Sequence, residues 1–177
     1  MKIEELYDVL DENYQVGGQA SWSIVHKYGL LHQGVHGILF KNKLRNETLI
    51  KRRNKSMVQE SGRLEISVAG HMISGQSPED TIKNELEEEL LGRKIPNDCI
   101  LNKMGTYLHN DVPNNNELIH LYEIIYPGPF IPDEESEGEP EWVNFNDLLK
   151  EMKGHPEDFA QYSINAIAEY IKLRKSK

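Results

Sequence analysis

Apolar and polar positions follow two rhythms along the chain, alternation in short stretches and a three- to four-residue recurrence in others. Residues 6–10 (LYDVL) are an apolar-rich run that stops at Asp11-Glu12-Asn13, a turn-forming cluster, and predict a strand, with a short helix as the rival reading. Ser21 is placed to cap a short helix to about Lys27, with Gly29 beyond its end. Residues 35–41 (VHGILFK) and 47–53 (ETLIKRR) flank 42–46 as the arms of a hairpin, and the polar, basic stretch 51–60 predicts a loop. Residues 64–68 (LEISV) alternate as a strand does. Ser77-Pro78-Glu79-Asp80 is a strong helix start: a capping serine, proline at the first helical position and an acid three residues after the cap. Ile82, Leu86 and Leu90 give that helix a buried stripe, and Gly92, followed by Arg93, Lys94 and Pro96, marks its end. Residues 100–108 and 117–126 read as strands, the second broken by Pro127-Gly128-Pro129. Residues 142–145 predict a short strand, and Asn146 a cap for a helix at 147–152. Pro156 opens a final helix to about 174 with Phe159, Tyr162, Ile167 and Ile171 on its core side. Interleaved strands and helices predict one α/β or α+β domain around a mixed sheet over residues 1–177.

Composition narrows the function classes. A chain of 177 residues with 38% hydrophobic content buries a core without covalent staples. A single cysteine, Cys99, excludes a disulfide framework and a cysteine-based zinc cluster. No run approaches the roughly 18 apolar residues of a membrane span, and the N-terminus lacks a signal-peptide core. No membrane association is expected, and the cytoplasm is the expected compartment. The net charge of −9 argues against nucleic-acid polymers as partners, since phosphate backbones select basic surfaces. That acidity is local: residues 79–89 hold six acids and one base, and residues 133–141 hold six acids and no base.

The first cluster carries candidate chemistry. Glu85, Glu88 and Glu89 stand at i, i+3 and i+4, one face of a helix, and like charges there repel by a few tenths of a kcal/mol per pair. A solvated outer face and a cation site both accommodate them. Oxygen-only ligands favour Mg²⁺, Mn²⁺ or Ca²⁺ over zinc. Glu87 points elsewhere, toward solvent. The context is a strand ending at Ala69-Gly70-His71, a loop through Ser74-Gly75-Gln76, then the capped helix; the glycines allow close backbone approach.

The segment 70–92, GHMISGQSPEDTIKNELEEELLG, resembles the Nudix box: glycine, five residues, glutamate, seven residues, Arg-Glu-aliphatic-any-Glu-Glu, any residue, glycine, aliphatic. Gly70 matches the first glycine, and Glu85, Leu86, Glu88 and Glu89 match the metal-binding core. The resemblance implies a Nudix-type α/β/α sandwich around a mixed sheet, with Mg²⁺ or Mn²⁺ held by those glutamates and by Gly70. It also implies a small-molecule substrate containing a diphosphate. Three positions depart from the motif. Gln76 replaces the glutamate and Asn84 the arginine that usually pairs with it, which removes both charges together and leaves the two amides able to bond. Leu91 replaces the glycine, with Gly92 one place late, so the helix runs one residue longer before its cap.

The stretches 5–13, 21–40 and 63–75 resemble the Nudix subfamily of type I isopentenyl-diphosphate isomerases and their hydrolase-like relatives. The catalytic cysteine of the isomerases falls on Ala69, which argues against proton transfer of the isomerase kind. His32 and His71 match two metal-binding histidines of that subfamily, and Glu117 matches an acid that serves catalysis and metal binding there. Another acidic ligand falls on Asn115, and a further histidine is matched out of register by His26, with His36 as the other candidate. Ordinary hydrogen-bonded histidines are the competing reading.

Lys51, Arg52, Arg53 and Lys55 form the one dense basic patch, and in a Nudix protein Lys51, Arg52 and Arg53 would clamp the diphosphate; a solvated loop tip is the alternative. Glu117, Glu139 and Glu141 are candidates for an extra glutamate outside the box, and Tyr107 and Trp142 read as core in preference to stacking platforms. The combined expectation is a hydrolase that cuts a phosphoanhydride bond in a nucleoside diphosphate linked to a second group. Glu85, Glu88, Glu89 and Glu117 are its catalytic residues. A non-catalytic nucleotide- or diphosphate-binding domain is the other reading, and oligomeric state, a homodimer included, is not read from the sequence.

Overall fold

The computed structural model describes residues 4–55, 60–111, 115–131 and 139–176. β1 (Leu6–Leu10) and β2 (Val16–Ser21) form a two-stranded antiparallel sheet. The turn between them is held by the Asp11 carboxylate, which accepts from the backbone N–H of Asn13 (2.8 Å) and Gln15 (2.9 Å). β2 was not anticipated, because VGGQAS lacks alternation and has only Val16 as a β-branched residue. α1 (Trp22–Tyr28) follows, ending on Gly29 in the left-handed region at φ 58°. Ser21 occupies its N-cap position but makes no side-chain cap bond.

The large sheet has seven strands, with β5–β4–β3–β8–β7 as its main path, β6 beside β3 and β9 beside β4. β3 (His32–Phe40) is central: it runs parallel to β8 (Asn115–Ile125) on one side and antiparallel to β4 (Glu47–Arg52) and β6 (Val68–His71) on the other. β7 (Ile100–Asp111) and β9 (Glu141–Asn144) complete it. The expected single strand at 64–68 is two, β5 (Leu64–Ile66) and β6, split at Ser67. The Ser67 hydroxyl accepts from the Leu39 N–H and donates to the Leu49 carbonyl, so the interruption is fully bonded. β4 reaches Arg52, so the expected loop begins two residues later, and residues 56–59 of it lie outside the described residues.

Alternation along β3 builds a core on each face. Ile38 and Phe40 pack with α3 (Phe145–Gly154) and α4 (Gln161–Lys175), while Val35 and Leu39 pack with Ile82, Leu86, Leu90 and Leu91 of the glutamate helix. The result is the expected α/β/α sandwich around a mixed sheet. α3 starts two residues earlier than expected, because Asn144, and not Asn146, supplies the cap, accepting from the N–H of Asn146 and Asp147. Pro156 opens only a 3₁₀ turn (Pro156–Asp158), and Phe159 and Ala160 are extended before α4 begins. No helix among the described residues is long and apolar enough to cross a membrane.

Candidate functional site

Two strand registers converge at the start of β3. His32 pairs with Glu117 across the parallel β3–β8 ladder, and Gly34 pairs with His71 and Val35 with Gly70 across β3–β6. His26 reaches the same place from α1. Ligand-capable atoms of His26, His32 and His71 all lie within 4.8 Å of one another. Glu117 Oε1 is 3.4 Å from His71 Nε2 and 3.9 Å from His32 Nε2. Gly34 makes room for this, since a Cβ there would stand 2.7 Å from Glu117 Oε1.

The chemistry of these groups suits a cation. His32 Nδ1 lies 2.9 Å from the Leu30 carbonyl and His26 Nδ1 2.9 Å from that of Trp22. Donation there fixes the tautomer and leaves each Nε2 a bare lone pair, an arrangement common behind metal ligands. The Nε2 atoms of His32 and His71 are buried without a hydrogen-bond partner. Burial, and the charge of neighbouring His32 and His26, lower His71 to about 3. Burial raises Glu117 to about 7, only partly opposed by the Asn115 amide that donates to its Oε2 (2.7 Å). His36 is not part of this group. It points to the other face, where Nδ1 meets the Tyr107 hydroxyl at 2.7 Å, and Tyr107 is core as expected.

Beside the histidines opens a cleft of about 360 Å³ whose lining includes Gly70, His71, Glu85 and Glu88. The buried Tyr7 and the exposed Trp22 also line it, carried there by the small sheet and α1. β1 is tied to the box loop by a Tyr7–Ile73 bridge and a bond from the Ser74 N–H to the Leu6 carbonyl (2.7 Å). The sequence carries no signal for Tyr7 or Trp22 in this role. Gly70 is obligatory for space, because a Cβ would fall 2.2 Å from the Glu85 carboxyl carbon. The donor set fits a divalent ion at this point: the carboxylates of Glu85 and Glu88 stand beside Gly70, with the His71 imidazole at the same cleft.

α2 (Pro78–Leu86) is capped as predicted, Ser77 Oγ accepting from the Asp80 N–H at 3.1 Å. It then widens into a π-helical turn at Glu87–Leu91, closed by a bond from the Gly92 N–H to the Glu87 carbonyl (2.8 Å). The extra residue before Gly92 is absorbed here, and Leu91, where the motif has glycine, is fully buried. The π turn breaks the α register on which a common face for all three glutamates rested. Glu85 and Glu88 face the cleft. Glu89 meets Lys51, Nζ to Oε2 at 2.9 Å. Glu87 is not given over to solvent: its carboxylate accepts from the Ile95 N–H (3.0 Å) and faces Lys94. Gln76 and Asn84 both line the cleft, and Gln76 accepts from the Thr81 hydroxyl (3.0 Å), tying the box loop to α2 without the usual ion pair.

The basic patch is redistributed. Lys51 is 3% exposed, with Nζ against Glu89 and 3.8 Å from Glu65, so it is neither a loop-tip cation nor a clamp reaching outward. Arg53 pairs with Glu65 at 3.1 Å. Arg52 is exposed and donates to the Gly62 carbonyl (2.7 Å). Of the second acidic cluster, Glu139 and Glu141 are exposed, and residues 133–138 lie outside the described residues.

A family profile described as NUDIX domain matches residues 30–163. Nudix hydrolase 3 of Arabidopsis thaliana is 29% identical over 181 residues, covering 96% of this chain; the chain spans only 23% of that protein's length. Isopentenyl-diphosphate Delta-isomerase 2 of Photorhabdus laumondii is 23% identical over 88% of this chain and 86% of its own. Among solved structures, DR0079 of Deinococcus radiodurans shares the fold at a TM-score of 0.75, with 19% identity over 93% of this chain and 98% of that one. The NUDIX domain of Shewanella oneidensis NrtR, in complex with ADP ribose, does so at 0.59, with 17% identity over 81% and 86% of the two chains.

Proposed function

The chain belongs to the Nudix family of hydrolases, and on that premise we propose that it cleaves the phosphoanhydride bond of a small-molecule diphosphate, a nucleoside diphosphate linked to a second group, with Mg²⁺ or Mn²⁺. The observation that carries this reading is the cleft in which Glu85 and Glu88 face Gly70, walled by Tyr7 and Trp22 and continuous with His71. Glu85, Glu88 and the Gly70 backbone are the groups to hold the ion; His26, His32, His71 and Glu117 offer a second, nitrogen-rich place. A bound divalent ion supplies positive charge for the diphosphate and lowers the pKa of a coordinated water. Glu117, whose carboxyl burial pushes up to about 7, is the candidate general base for a proton of the attacking water. Trp22, half exposed at the cleft and stacked on His26, is the candidate aromatic contact for the part of the substrate beyond the phosphates. Binding of ADP ribose by the NrtR domain makes that compound a sensible first member of a substrate panel.

A phosphate-release screen over diphosphates with Mg²⁺ and Mn²⁺ tests the reading. Glu85→Gln and Glu88→Gln should each lower turnover by at least about tenfold while the fold persists by circular dichroism. Unchanged turnover in both sinks the assignment, and ligand-induced melting shifts without phosphate release favour a binding domain. Ala69 puts a methyl group where the isomerases carry a thiol, so proton exchange on isopentenyl diphosphate is expected to be absent.

A further inference from the structure

The cleft beside the histidines is more acidic than the box alone makes it. Glu85 and Glu88 line it from α2 and the π turn, and Glu5, the residue before β1, adds a third carboxylate. Among the described residues no lysine or arginine lines it, and Asn84 stands where the motif has an arginine. Glu5 is not a stray surface acid. Its Oε2 accepts from the Tyr7 hydroxyl at 3.1 Å, and Tyr7 is buried in β1, where it bridges to Ile73 of the box loop. The carboxylate is thus held at the cleft by the strand that joins the small sheet to the box. Trp22 lines the same cleft; His26 is stacked on its indole at a centroid distance of 4.4 Å, and the residue is 48% exposed.

We infer that Glu5, positioned by Tyr7, is a specificity-determining residue: together with Trp22 it selects diphosphates whose second group is neutral or cationic, and it excludes those whose second group carries a carboxylate or a further phosphate. The physical reason is the sign of the lining. A divalent ion at Glu85 and Glu88 offsets the charge of the diphosphate itself, but no described side chain of the cleft offsets an anion beyond it. Like charges brought together without a counter-ion reject a ligand more strongly than opposite charges recruit one. A carboxylate instead accepts from hydroxyl groups, as on a sugar, or pairs with a cation, and an indole face attracts a cation as well.

The inference rests on the reading of the cleft as the place of diphosphate hydrolysis, and the test separates the two. With saturating Mg²⁺, kcat/KM of the full chain is measured for UDP-glucose and UDP-glucuronate, which differ only by a carboxylate in the sugar, and for CDP-choline, whose second group is a cation. The wild type, Glu5→Gln and Glu5→Lys are compared, each checked for folding by circular dichroism. The wild type should favour UDP-glucose over UDP-glucuronate by at least about tenfold. Glu5→Gln should narrow that ratio by at least about threefold, and Glu5→Lys should narrow it further while lowering the relative rate on CDP-choline. A wild type that cleaves both sugar compounds equally well overturns the inference. So does a ratio that stays in place in the variants, including an equal loss on both compounds, which would give Glu5 to the metal or to the fold. Should Glu5→Lys fail to fold, the isosteric Glu5→Gln decides. If the chain cleaves other diphosphates only, an acidic second group on the preferred one overturns the inference and a neutral or cationic one supports it. A wild type that cleaves no diphosphate defeats the hydrolase reading itself, and this inference with it.

Discussion

A methyl group at Gly70 would stand 2.2 Å from the Glu85 carboxyl carbon, so Gly70→Ala must displace that carboxylate or the strand that faces it. Misplacement of a reacting group by about 1 Å costs on the order of a hundredfold in rate. Gly70→Ala is therefore expected to lose roughly that much turnover while remaining folded, which steady-state rates and a melting curve together check. His36 makes the opposite kind of prediction, on stability alone. It is buried, bonded to Tyr107, and lowered to about 3 by burial, with His109 and His71 adding to the effect. Its folded pKa lies below its unfolded value near 6.5, so the stability it contributes is whole above that value. That contribution is lost as pH falls toward 3. The slope from this one group approaches about 1.4 kcal/mol per pH unit. His36→Gln keeps a partner for Tyr107 and should flatten the fall in urea midpoint between pH 6.5 and 4.5. An unchanged pH dependence would refute the assignment.

At the scale of elements, α2 depends on its first turn. Ser77 accepts from Asp80 N–H, and the serine hydroxyl also donates to the Asp80 carboxylate at 2.6 Å. Ser77→Ala should cost about 1 kcal/mol, a drop of roughly 2–4 °C in melting temperature for a chain of this size. This start was legible in the sequence because capping is local: it needs only the residues Ser77 to Asp80. The Ile82–Leu86–Leu90 stripe, the strand at Leu6–Leu10, the strand read over 100–108 that runs on to Asp111, and the left-handed Gly92 were legible for the same reason. The π turn was visible only as a glycine one place late, and its consequence for Glu89 was not visible, because it depends on where Lys51 lies in the sheet. Lys51 itself reads as a surface charge in isolation; its burial follows from β4 extending to Arg52 and from the pairing of Lys51 with Glu65. β2 was missed because VGGQAS owes its strand conformation to β1 alone. All three histidines were named from the subfamily resemblance, His32 and His71 in register and His26 out of register with His36 as its rival, because α1 supplies His26 from outside the sheet registers that align the others.

Charge is the property that only the whole molecule explains. The chain carries −9, yet the substrate expected of it is an anion. The basic patch offers little relief, because Lys51 and Arg53 are committed to Glu89 and Glu65. On the proposed function the positive field at the cleft comes from a divalent ion, so substrate affinity and chain stability would respond to the same ion. Mg²⁺ at about 100 times its dissociation constant would stabilise the fold by about 2.7 kcal/mol, or roughly 5–10 °C in melting temperature. An acidic protein also gains from any added salt, because its surface charges repel less when screened. The two effects separate cleanly. NaCl at matched ionic strength should reproduce only the screening part, and a Glu85→Gln/Glu88→Gln double variant, still strongly acidic, should keep that part and lose the rest. A Mg²⁺ shift in the double variant equal to that of the wild type would place the ion elsewhere on the molecule, and the cleft would lose its claim to be the metal site.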